Sequence, residues 1–210
     1  KFTLTNGNGN SNGAYNRYGG GIYCSSSPKL TNLIIEYNSA TVYGGGIYFI
    51  SSDNSIAENI IIHNNTANEG GGILSWSSNI SITNAVITNN SAENSGGGGI
   101  GLVLSSGILN GLIIMHNSCL QPNSQGTGII IRANSNFLVK NCLIANNIGN
   151  QGDLVITDYS PHVTFVNTTI YSQIDYPQYG IRIRETPTVE FYNSIIDVNR
   201  IWVQNEATID

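Results

Sequence analysis

Apolar and polar residues alternate along this chain in short runs, as in Ile80-Ser-Ile82 and Val163-Thr-Phe165, and Gly, Asn or Ser punctuates the runs. Alternation of period two predicts half-buried strands, and no segment carries the three-to-four-residue spacing of an amphipathic helix. The pattern repeats. Gly-Gly-Gly followed by Ile stands at Gly19–Ile22, Gly44–Ile47 and Gly70–Ile73, with a four-Gly version at Gly96–Ile100 and weaker copies before Ile129, Leu154 and Ile181. Aligned on the apolar residue, successive copies are 25, 26, 27, 29, 25 and 27 residues apart.

Two Asn columns run in step with the glycines. The first is a marker: Asn32, Asn59, Asn84, Asn141, Asn167 and Asn193, with Gly111 in the one remaining place. Three residues after each marker stands Ile35, Ile62, Ile87, Ile114, Ile144, Ile170 or Ile196. Six residues after it comes Asn38, Asn65, Asn90, Asn117, Asn147 or Asn199, broken only by Gln173. A small residue follows two places on, at Ala40, Ala67, Ala92 and Cys119. Columns at a fixed period mean stacked repeats. The expected fold is all-β, a right-handed parallel β-helix of about seven to eight three-faced coils, each of roughly 26 residues, with Ile columns in the bore. A left-handed hexapeptide helix would instead show a period near 18 residues. The Asn38 column is expected to line one inner turn as a ladder. Gly7–Tyr18 and Gln121–Gln125 are expected to bulge as insertion loops. Lys1–Asn6 enters in mid-repeat, so the segment is expected to belong to a longer protein as a single β-helix domain spanning 1–210, with Trp202 laid across the bore at the far end.

Composition narrows the function. Charged residues make up only 10%, hydrophobic ones 40%, and the formal net charge is -5. Eight scattered Lys and Arg argue against a nucleic-acid surface. No run of 18 apolar residues is present to span a membrane as a helix. Cys24, Cys119 and Cys142 fall in three different core columns and read as buried free thiols, so they give no disulfide framework and no redox compartment. His63, His116 and His162 occupy non-equivalent positions, and no metal-ligand spacing or cofactor motif appears.

The pairing of Gly-Gly-Gly-Ile with Ile-x-x-Asn (Ile35 to Asn38, Ile62 to Asn65, Ile87 to Asn90, Ile114 to Asn117, Ile144 to Asn147) resembles the repeats of chlamydial polymorphic outer-membrane proteins. It is also similar to right-handed parallel β-helix repeat proteins of the pectate-lyase-like superfamily. That resemblance covers nearly the whole chain and implies architecture rather than activity, because the superfamily includes lyases, hydrolases, adhesins and passenger domains.

Catalysis on such a fold needs carboxylates brought together by stacking. Glu36 and Asp197 share a column but lie six coils apart, and the polygalacturonase and pectate-lyase motifs are absent. Arg182-Ile-Arg184 resembles the Arg-Ile-Lys of polygalacturonases, but reads as two exposed strand arginines. The outward columns carry more information. One reads Tyr23, Tyr48, Leu74, Gly101, Ile130, Val155, Arg182, and the next Ser25, Ile50, Trp76, Val103, Arg132, Thr157, Arg184. A third, Ile34, Ile61, Val86, Ile113, Leu143, Thr169, Ile195, is also apolar. Such faces suit contacts with a polysaccharide, a surface partner or a lateral neighbour. The expected binding residues are therefore Tyr23, Tyr48, Trp76, Arg132 and Arg184. The expected role is a non-catalytic, secreted or cell-surface module acting as adhesin, carbohydrate binder or spacer. The rival is part of a polysaccharide lyase or another carbohydrate-active enzyme.

Overall fold

The computed structural model describes residues 1–9, 18–119, 121, 125–149, 152–172, 179–204 and 207–209. Every regular element among them is a strand, and every strand pairing is parallel. Four sheets run along one axis. The marker sheet holds the strands after each marker Asn, among them Leu33–Glu36, Ile61–His63, Val86–Thr88 and Ile113–Met115. A short corner sheet follows, with Ser39–Ala40, Thr66–Glu69 and Ser91–Gly96. The glycine sheet comes next, with Ile22–Cys24, Ile47–Ile50, Ile73–Trp76, Ile100–Val103, Ile129–Arg132, Leu154–Thr157, Ile181–Arg184 and Ile201–Gln204. The return sheet, including Asn79–Thr83, Ser106–Asn110 and Asn136–Lys140, closes the coil. Three sheets hold eight strands each, and the corner sheet holds five among the described residues. The protein is a parallel β-solenoid.

The coils have four faces where three were expected, because the chain bends at four left-handed residues per turn. Asn59 (φ 55°), Asn64 (56°), Gly70 (65°) and Ser77 (48°) are the four corners of one coil. Asn tolerates that conformation and Gly has no side chain to oppose it. In the triple-Gly corner the first residue supplies the turn, and the second supplies close approach. A Cβ on Gly45 would lie 2.4 Å from the carbonyl oxygens of both Gly71 and Thr66.

The register matches the sequence columns: Ile62 pairs with Ile35 and Ile87, and Ile73 with Ile47 and Ile100. Ile35, Ile62, Ile87, Ile114, Ile144 and Ile170 are fully buried, and Phe49, Phe137 and Phe165 fill the bore beside them. The Asn column is an inner ladder. Nδ2 of Asn38 donates to Oδ1 of Asn65 at 2.9 Å, Asn65 to Asn90 at 2.9 Å, Asn90 to Asn117 at 3.0 Å and Asn117 to Asn147 at 2.9 Å. The backbone N–H of Asn147 then donates to Oδ1 of Asp153 at 2.7 Å. A second ladder, absent from the sequence reading, joins the glycine and return sheets. The N–H groups of Ser52, Ser78 and Ser105 donate to Oγ of Ser78, Ser105 and Ser135 respectively.

All three cysteines are free and buried. Two expected insertions are regular at their edges: Asn8–Gly9 is a strand of the corner sheet, and Gln125 bridges Gly96. Residues 10–17 and 122–124, and the exception at Gln173, lie outside the described residues. Trp202 does not close the bore. It pairs with Arg182 in the outward column of the glycine sheet.

Candidate functional site

The glycine corner decides what the outer face of the glycine sheet looks like. The left-handed turn at Gly44 carries the chain so close over Tyr48 that a Cβ on Gly44 would lie 2.8 Å from Cβ of Tyr48; Gly70 stands over Leu74 and Gly126 over Ile130 in the same way. The residue before each turn then projects over the sheet, forming an outer column of Tyr18, Tyr43, Glu69, Gly96 and Gln125 joined by parallel bridges. The first outward column, expected to be an open apolar face, is therefore roofed. Tyr48 is 3% exposed, and Leu74, Ile130 and Val155 are fully buried. Leu74 also leans into the space left by Gly101, where a Cβ would sit 2.6 Å from its Cδ1.

Above this second, outer core lies an aromatic cluster. Tyr18 stacks on Tyr43 with centroids 5.4 Å apart, Tyr43 meets Trp76 at 5.7 Å, and Tyr23 meets Tyr48 edge-on at 5.7 Å. Tyr18, Tyr23, Tyr43, Tyr48, Ile50 and Trp76 line a cleft of about 320 Å³. Tyr23 and Trp76 present ring surface to solvent. Tyr48 is the floor rather than a platform, and burial raises its phenol well above the ordinary range.

Trp76 also borders a second cleft, of about 420 Å³, lined by Val103, Arg132, Ala133, Asp158, Tyr159 and Glu185. The guanidinium of Arg132 reaches back to the Glu69 carboxylate in a close ion pair. Burial pushes the Glu69 carboxyl up, against the opposing pull of Arg132, and the Asp158 charge adds to the rise. Arg184 donates from Nε to Oγ1 of Thr157 at 2.8 Å and approaches Asp158 at 3.6 Å. Oε2 of Glu185 accepts the N–H of Tyr159 at 3.0 Å.

The structure thus gathers Tyr23, Trp76, Arg132 and Arg184 on one face, with Tyr48 beneath them. Sequence reading missed Tyr18, Tyr43 and Glu69, which sit in the column just before the glycines, and it missed the grouping of Glu69, Asp158 and Glu185. It sought acids stacked in one strand column, whereas these come from two different corners. The Arg182 and Arg184 pair, expected to be simply exposed, is engaged: Arg184 as above, Arg182 over the Trp202 ring. The marker-sheet column fits its expectation better, with Ile113 and Ile195 exposed. No group of three potential metal ligands occurs among the described residues. No helix among the described residues is long and apolar enough to cross a membrane.

Neither the curated proteins nor the solved structures return a match, so the finer likeness to the chlamydial repeats has no counterpart there. A family model does match: the right-handed β-helix region, over residues 21–209. With the parallel coils and stacked Ile columns in register over the same span, and the Asn ladder running from Asn38 to Asn147 within it, this chain belongs to the right-handed β-helix family.

Proposed function

We propose that this protein is a non-catalytic, extracellular or cell-surface module that binds an extended glycan along the outer face of its glycine sheet. The observation that supports this most is the Trp76-centred aromatic cleft, whose rings rest on a buried floor of Tyr48 and Leu74. Sugar rings present C–H faces that pack on aromatic surfaces, and a rigid floor keeps the rings in place without an ordering cost. Adjacent rungs are about 4.8 Å apart, so the two clefts form a strip along the axis rather than one enclosed pocket. The extracellular setting rests on low charge and high Asn, Ser, Gly and Thr content. Trp76→Ala is expected to abolish binding of neutral oligosaccharides on a glycan array while leaving the thermal transition intact. Undiminished binding by that variant would remove the cleft from the proposal.

A second reading, a carbohydrate-active enzyme, is favoured by one observation: a buried carboxyl, Glu69, raised by desolvation and set near Asp158 on the same face. Against it, Glu69 is held by Arg132, Asp158 by Arg184, and Glu185 by a backbone N–H. Release of unsaturated uronate or reducing ends, lost in Glu69→Gln, would establish the enzyme instead.

A further inference from the structure

The eight basic residues are spread through the sequence, yet the fold brings Arg182, Arg184 and Arg200 to the last two coils of the glycine-sheet face. Arg184 is neutralised by Asp158. Arg182 and Arg200 have no carboxylate partner among the described residues. Their guanidinium groups lie instead against aromatic rings, Arg182 at 4.4 Å from the Trp202 centroid and Arg200 at 5.5 Å from that of Tyr179, and the two rings stack on each other at 5.5 Å. Stacking uses the flat faces of a guanidinium and leaves its in-plane N–H donors unused. Nε of Arg182 is inaccessible to water and has no hydrogen-bond partner among the described residues, which leaves the terminal nitrogens of this half-buried guanidinium to meet a ligand. Withdrawing a cation from water without a counter-ion is unfavourable, and an oxyanion is the group that would offset it.

We propose that Tyr179, Arg182, Arg200 and Trp202 form an anion subsite, distinct from the Trp76 cleft, that takes a carboxylate or sulfate group carried by a glycan. It rests on the glycan-binding reading for the nature of the carrier and extends it: the ligand is an acidic polysaccharide, with Trp76 and Trp202 engaging it at stations five rungs apart. At about 4.8 Å per rung that separation is roughly 24 Å, the reach of several sugar units.

Trp76 and Trp202 are the only tryptophans in the chain, so each can be observed alone. Trp76→Phe leaves Trp202 as the sole indole, and Trp202→Phe leaves Trp76. Each protein is titrated with three hexasaccharides, one neutral, one uronate and one sulfated, at low and moderate salt. In Trp76→Phe the expected result is a saturable change in Trp202 emission with an acidic hexasaccharide and not with the neutral one. The effect should weaken with salt, and its midpoint should shift about tenfold or more in Arg182→Gln/Arg200→Gln. Arg200→Gln alone, at an exposed position, carries the test should the double variant misfold. The uronate and sulfated arms tell carboxylate from sulfate as the favoured anion. A silent Trp202, or one that responds equally to all three sugars, overturns the subsite. Trp76 responding while Trp202 is silent leaves the glycan-binding reading standing alone. The converse sustains the anion subsite and removes the aromatic cleft.

Discussion

Single residues do two kinds of work in this chain: they turn corners and they satisfy the bore. Asn at 59, 64, 84 and 89 adopts φ between 51° and 56°, a conformation that costs most other side chains about 1 kcal/mol or more. Asp153 is the costly residue. It is fully buried, Oδ1 accepts from Asn147, and Oδ2 meets no well-formed hydrogen bond among the described residues, although the nearby Ser172 side chain favours the charged form. Desolvation raises its carboxyl from 3.8 to about 6. Below pH 3.8 the group is protonated in both folded and unfolded chains and carries no penalty. Between there and about pH 6 the unfolded chain releases its proton while the native chain keeps it, so stability falls as pH rises and the full penalty holds above pH 6. The gap corresponds to roughly 3 kcal/mol. Asp153→Asn is expected to raise the urea midpoint at pH 7.5 and to leave it nearly unchanged at pH 3.5. A difference independent of pH would mean that the carboxyl is not desolvated as described.

At the scale of strands and sheets, the columns are the structure. Replacing Ile87 or Ile114 with Ala opens a void in a bore where both neighbours in the column are also buried Ile, at a cost of roughly 2–5 kcal/mol seen as a lower denaturant midpoint. An unchanged midpoint in either variant would mean that the column is not the core. The stacking direction, inner Asn ladder and burial of all three Cys were legible because period and alternation fix which side chain meets which. The outer roof over the glycine sheet was not. Period-two alternation assigns Tyr48, Leu74 and Ile130 to the outside of the strand, and that is where they point. It does not reveal that the preceding glycine turn folds back over them. The Ser ladder escaped because Ser is common at turns, so Ser52, Ser78, Ser105 and Ser135 carry no signal that tells a buried rung from an ordinary turn.

Seen whole, the protein has an apolar bore and a second, thinner apolar layer outside one wall. That layer is what sets the glycine sheet apart from the others in the proposed binding role. Aromatic rings resting on Leu74 and Val103 cannot sink or swing freely, and the ion pair from Glu69 to Arg132 spans two coils to brace the middle of the face. Most of the residues proposed for binding were legible as outward positions of the glycine-sheet strands. Their grouping needed the corner geometry, because Tyr18, Tyr43 and Glu69 belong to a column that no strand alternation defines.

The inner Asn ladder is directional. Every amide from Asn38 to Asn117 donates toward the same end of the axis, so the side-chain dipoles add head to tail instead of cancelling. The row meets its terminal acceptor at Asp153, whose negative charge faces the donor end of the line. Bonds in such a chain polarise one another, and a break in the middle weakens the links on both sides. Asn90→Ala is therefore expected to cost more than Asn38→Ala, with about 3 kcal/mol lost at the central site. Equal costs, measured from urea unfolding of the two variants, would show the rungs to be independent. A cumulative dipole also makes the two ends of the bore electrically unlike, giving the solenoid a polarity beyond that of its chain direction.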